Sequence, residues 1–117
     1  MSDIIKYKKI ALKVRKEFEH KKVDKDKLIK LYKKYNLIEN VESFVQIALK
    51  QFPKLNCGIA SVYLQSLIKK SKVINGKYNN ENHTFLLVDN YILDITADQY
   101  NGPKVYIGKV EEPWRIK

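Results

Sequence analysis

Cysteine, histidine and arginine are the scarce residues of this 117-residue chain, which holds one Cys, two His and two Arg among 23 basic residues. A single Cys excludes an intramolecular disulfide and any zinc site built from several thiolates. Two His with no clustered Cys/His spacing give no pattern for a structural metal, and no cofactor is expected. With three Pro and four Gly there is no low-complexity linker to divide the chain. The longest apolar runs, Phe85-Leu86-Leu87-Val88 and Tyr91-Ile92-Leu93, are far too short to span a bilayer. The opening Met1-Ser2-Asp3-Ile4-Ile5-Lys6 interleaves charges with apolar residues, unlike a signal peptide. The expectation is a cytoplasmic protein, or a domain delivered into a target cell by another route.

What remains is a composition of 44% hydrophobic and 31% charged residues, that of a globular domain rather than a disordered one. The length suits one domain with one modest core. Residues 1–56 carry 15 Lys/Arg against 7 Asp/Glu, a net of +8, whereas residues 57–117 carry 8 against 6, a net of +2. A basic first half is read mainly as a solvated Lys-rich face; it would also suit an acidic partner, nucleic acid or anionic lipid. The shortage of Arg argues against base-edge or bidentate phosphate recognition.

The first half has helical periodicity. Ile4, Tyr7, Ala11, Val14 and Phe18 recur on one face. Asp24 is placed to cap a second helix bearing Leu28, Leu31, Tyr32 and Tyr35, and Asn40 a third bearing Val41, Phe44, Val45, Ala48, Leu49 and Phe52, ended by Pro53. A fourth helix starts at Cys57 with Asn56 as N-cap; Ala60, Tyr63, Leu64, Leu67 and Ile68 form its stripe, and it gives way at Lys69-Lys70-Ser71-Lys72. Strand patterning follows. Asn75-Gly76 reads as a turn or bulge, Asn79-Asn80-Glu81-Asn82 as a polar connection, and Asp89-Asn90 as a two-residue hairpin loop between strands over 83–88 and 91–96. Tyr100-Asn101-Gly102-Pro103 makes another turn before a last strand at Val105-Tyr106-Ile107. Helices followed by an antiparallel sheet define an α+β fold, in one domain with a basic helical part (1–52) and a helix-plus-sheet part (53–117).

The chemistry gathers around the lone thiol. Taken by itself a single Cys is usually an inert core residue, but Cys57 opens a helix, where unpaired N–H groups and the helix dipole favour a thiolate. Gly58 beside it leaves room for a substrate carbonyl. In a hairpin closed by Asp89 and Asn90, paired residue numbers sum to 179, so Asp94 lies diagonally across from His83 on the same face. A three-residue loop would turn Asp94 to the other face. Cys57 is then the nucleophile, His83 the general base and Asp94 the group that orients the imidazole. Alone, His83 would read as a polar residue at a strand start; Asp94 within an apolar strand needs a partner, and Asp98 is its rival. The oxyanion would be held by the Cys57 N–H and a side-chain donor. Gln51 is preferred for that donor, and Gln99 and Asn56 are assigned to the site wall. His20 reads as an exposed helix-end cation, and Trp114 as a core plug beneath the sheet.

The order Cys, His, Asp, with the Cys opening a helix and the other two on adjacent strands, resembles the papain-like superfamily of thiol proteases, transglutaminases, acetyltransferases, deamidases and amidopeptidases. Gln51, six residues before Cys57, is similar to the oxyanion glutamine of papain-type proteases, although Cys57-Gly58 continues Ile59-Ala60-Ser61 without papain's second Cys and aromatic residue. More narrowly, Leu55-Asn56-Cys57-Gly58, His83-Thr84-Phe85-Leu86-Leu87-Val88 and Asp94-Ile95-Thr96-Ala97-Asp98-Gln99-Tyr100 resemble compact papain-fold domains of bacterial toxins. The resemblance covers residues 50–110. It implies a papain-like fold and a Cys-His-Asp triad, not a target. The leading expectation is a thiol hydrolase or acyltransferase acting on an amide or peptide bond of a protein or peptide substrate: a protease, a glutamine deamidase or a toxin-type effector. The competing expectations are a non-catalytic protein whose Lys-rich helices engage an acidic partner or nucleic acid, and an inhibitor-type partner using the basic helices alone.

Overall fold

The computed structural model describes residues 2–35 and 40–116. Four helices, α1 (Ser2–Glu19), α2 (Lys25–Tyr35), α3 (Val41–Lys50) and α4 (Cys57–Leu67), precede five strands. These are β1 (Lys72–Tyr78), β2 (Glu81–Val88), β3 (Tyr91–Asp94), β4 (Tyr106–Lys109) and β5 (Trp114–Arg115), with a 3₁₀ turn at Ala97–Tyr100. The strands form one antiparallel sheet in the order β4-β3-β2-β1-β5. The chain is therefore α+β. Among the described residues no helix is long and apolar enough to cross a membrane.

The helices form where apolar side chains recur on one face. Tyr7, Ala11, Val14 and Phe18 of α1 are buried, and so are Val41, Val45, Ala48 and Leu49 of α3. Asp24 caps α2, its Oδ1 accepting the Lys27 N–H at 3.1 Å. Asn40 differs from expectation: it stands before α3 in the left-handed region (φ 54°) and makes no side-chain cap. Phe52 lies beyond the end of α3 and stacks on Phe18 with ring centroids 5.3 Å apart. Helix α4 is buried nearly all round, Ile59 to Leu64 without a break, because α1 and α2 cover one side and β1 and β2 the other. A single buried stripe was thus too narrow an expectation for it, and Leu67, assigned to that stripe, is exposed. One cluster of buried residues runs from α1 through α4 into β2 and β3, so the helical and sheet parts share a core.

The Asp89-Asn90 hairpin forms as its residues demand, both in the left-handed region (φ 49° and 65°), with Val88 opposite Tyr91 and Leu86 opposite Leu93. Two segments differ from the sequence reading. Asn75-Gly76 is neither turn nor bulge, since β1 runs through it and Gly76 pairs with His83. Glycine is required there by close approach, because a Cβ would collide with the Arg115 carbonyl oxygen. Residues 79–82 are not simply a connection: Tyr78 pairs with Glu81, so Asn79-Asn80 is the turn and β2 already begins at Glu81. The final strand β5 was not foreseen.

Candidate active site

Cys57 is the first residue of α4 and is half-buried. The residue before it was expected to cap the helix. Instead the Asn56 Nδ2 donates to the carbonyls of Ala48 and Lys54, both at 2.7 Å, tying the end of α3 to the start of α4. Its Oδ1 is buried with no partner among the described residues. The first N–H groups of α4 are therefore not occupied by the Asn56 side chain, and the positive end of the helix dipole faces the sulfur. Gly58 does not open empty space beside the thiol; a Cβ there would meet the Tyr32 hydroxyl at 3.2 Å.

His83 and Asp94 come together as the hairpin register requires. The imidazole Nε2 lies 2.7 Å from Asp94 Oδ2, and both side chains are sealed from solvent. An unpaired charge at such depth would cost several kcal/mol, and the carboxylate is correspondingly well supplied with donors. Oδ1 accepts the Thr96 N–H at 2.9 Å. Oδ2 accepts, besides the imidazole, the indole Nε1–H of Trp114 at 2.8 Å. Trp114 is buried as expected of a core plug, yet it also fixes the carboxylate. The signal for this lay in its single polar atom, which must find an acceptor when the ring is buried. Tyr78 and Tyr100 meet the imidazole edge to face, with centroids 6.1 and 5.4 Å away.

With Nε2 committed to Asp94, Nδ1 is the imidazole atom left to serve the thiol. Burial disfavours a charged imidazole and is the largest single influence, but the hydrogen bonds and charges of Asp94 and Cys57 together exceed it and raise the His83 pKa from 6.5 to about 9. Burial likewise opposes ionisation of Cys57. Hydrogen bonding to His83, and then to the Thr84 backbone, overrides it and lowers the thiol pKa. The Thr84 contact has a topological origin. Alternate residues of an antiparallel strand bond to opposite neighbours, and Thr84 by register would face Ile95, just past the end of β3. Pairing of β2 with β3 stops at Leu86 and Leu93, so the Thr84 backbone is released. Its carbonyl accepts the Ser61 hydroxyl of α4 at 3.3 Å, and its N–H is left to stabilise the sulfur.

The remaining predicted residues divide. Gln99 reaches the imidazole, its Nε2 lying 3.5 Å from Nδ1. Gln51 is exposed, takes part only through its backbone in the turn after α3, and does not line the cleft beside the thiol. Asp98 is not a rival to Asp94, because Arg15 of α1 holds it with two parallel bonds of 2.7 and 2.8 Å. His20 is exposed just after α1. The thiol opens into a cleft of about 510 Å³ walled by Tyr32, Tyr35, Phe44 and Leu55, with Asn75 and Thr84 as polar members. The Asn75 Oδ1 accepts from Tyr35 and Thr84 at 3.1 and 2.8 Å, tying the end of α2 to the sheet. Sequence reasoning missed Thr84 and Asn75, since nothing local marks a threonine that keeps its partner on β1 but has none on β3.

A sulfur at a helix tip, an imidazole beside it and a carboxylate behind the imidazole form a constellation suited to thiol chemistry. Comparison of the chain with protein-family models, with curated proteins and with solved structures found no match.

Proposed function

We propose that this protein is a papain-like thiol enzyme, a hydrolase or acyltransferase that opens an amide bond through an acyl-thioester. The observation that carries the proposal is the buried 2.7 Å contact of His83 with Asp94, set beside a thiol at the mouth of a cleft. In this reading the imidazolium and thiolate form an ion pair. The sulfur adds to the acyl carbon, and the backbone N–H groups at the start of α4 stabilise the oxygen that becomes negative. His83 returns its proton to the departing nitrogen, the C–N bond breaks, and the acyl group stays on sulfur. Water or an amine, deprotonated by His83, then adds to the thioester and releases the thiol. Gln99, next to the imidazole, supports the site better as a side-chain donor than Gln51 does. A protease, a glutamine deamidase and a toxin-type effector all share this sequence of steps.

The experiment is the pH dependence of iodoacetamide alkylation at Cys57. An ion pair gives a rate already near its plateau around neutral pH, and His83→Ala moves the midpoint upward toward that of a free thiol, about 8.5. A thiol with ordinary reactivity, unmoved by loss of His83, would sink the proposal and leave a non-catalytic binding protein. Cys57→Ala is expected to abolish turnover with little change in thermal unfolding.

A further inference from the structure

The cleft beside Cys57 has a neighbour on the far side of one ring. Tyr35 lines both, and the adjoining groove, about 500 Å³, is bounded by Leu31, Val62, Lys34 and Lys69. The two have opposite character. Among the described residues no Lys, Arg, Asp or Glu lines the cleft at the thiol, whereas the groove carries two ammonium groups and no carboxylate. Lys34 comes from the last turn of α2 and Lys69 from just beyond α4, so their meeting is made by the packing of these helices and not by one run of sequence. Neither has a carboxylate within 4.0 Å among the described residues. Cations left without partners beside an uncharged cleft are a recognition pattern, because their field reaches about 8 Å at physiological salt and attracts opposite charge.

Resting on the proposed enzyme reading, we infer that the substrate is an acidic polypeptide segment. An uncharged residue of it fills the aromatic cleft at the thiol, and carboxylates flanking that residue lie along the Lys34–Lys69 groove. A polypeptide is favoured over nucleic acid for two reasons. The groove adjoins, across Tyr35, the cleft of a sulfur that needs an acyl carbon, which a nucleic acid does not offer. Its cations are lysines, which act as point charges and lack the bidentate fork of arginine for phosphate.

The inference is tested with short peptides carrying a central chloroacetylated diaminopropionate, flanked by Glu, Gln or Lys, and the rate of Cys57 alkylation is followed by mass spectrometry. The Glu peptide should react about tenfold faster than the Gln peptide at low salt, with the Lys peptide slowest. At about 0.5 M salt the rates should converge to within about twofold. Lys34→Glu/Lys69→Glu should reverse the Glu-to-Gln ratio, and Lys34→Arg/Lys69→Arg should keep it; thermal midpoints confirm that both variants fold. Equal Glu and Gln rates in the wild type, or an unchanged ratio in the Glu variant, would overturn the inference. So would an oligodeoxynucleotide that blocks the Glu peptide where polyglutamate of equal charge does not. A His83-dependent thiol without charge preference removes only this inference, whereas loss of His83 dependence removes the enzyme reading itself.

Discussion

Trp114 has a dual task at the residue scale. Its ring stacks on Tyr106 with centroids 3.9 Å apart and meets Tyr78 edge to face, while its indole N–H holds Asp94. Trp114→Phe keeps most of the packing and removes one hydrogen bond to a charged oxygen, which is expected to cost about 2 kcal/mol in denaturant unfolding. Because Asp94 supports the imidazolium, the same variant should also raise the midpoint of the Cys57 alkylation profile, an effect that loss of packing alone would not give. At this scale the sequence was partly readable. His83 and Asp94 could be placed by counting from the hairpin loop, since side chains alternate strictly along a strand. Gln51 could not, because an offset of six residues along an irregular turn carries no direction, and its side chain lies in solvent.

At the scale of the element, the two-residue strand β5 joins the end of the chain to the site. It pairs with β1 at Lys77 and Tyr78 and so delivers Trp114 to Asp94. Gly76 lets it pass. In Gly76→Ala the new methyl would collide with the Arg115 carbonyl, displacing β5, and a stability loss of about 3 kcal/mol is expected from chemical denaturation. Alkylation of Cys57 should slow as well, since the indole moves with its strand. Why this element was illegible follows from its size. Two residues have no periodicity, and Asn-Gly is the commonest signature of a turn, so the glycine needed for a close approach was read as a bend. The start of β2 was concealed in the same way, by the polar run Asn79-Asn80-Glu81-Asn82. The α4 start, in contrast, was placed correctly at Cys57, although the reason given for it, a side-chain cap by Asn56, was not the one the structure uses.

For the whole molecule, α1 and the segment after β3 are held together by Arg15. Its buried guanidinium binds Asp98, Glu19 and the Ile95 carbonyl and lies 4.6 Å over the Phe52 ring. The basic first half is thus part of the framework that positions the site, and removing residues 1–22 would strip Tyr7, Ala11, Val14 and Phe18 from the core. Such a truncation therefore reports on folding before it reports on any inhibitor-type role. Stability should also depend on pH through the buried pair. His83 has a folded pKa near 9 against 6.5 for the free residue, so its contribution is complete below 6.5 and is lost as pH rises through about 9. Cys57, with its pKa lowered, moves the opposite way, its share vanishing as pH falls. In a Cys57→Ala background, which removes that opposing trend together with the part of the His83 shift that the sulfur supplies, the thermal midpoint should still fall as pH rises above 6.5, and fall less when Asp94→Asn is added. Equal slopes in the two backgrounds would mean that the pair contributes nothing.

A helix tip that favours ionisation of the chain's only thiol and leaves it half-open also leaves it without a second thiol to rescue it. Peroxide would convert Cys57 first to a sulfenic acid, and no neighbouring cysteine exists to trap that state as a disulfide. Only an external thiol could return it to the reduced form, and further oxidation to the sulfinate would be permanent. The lifetime of this centre is therefore set by the reductants around it rather than by the strength of its fold.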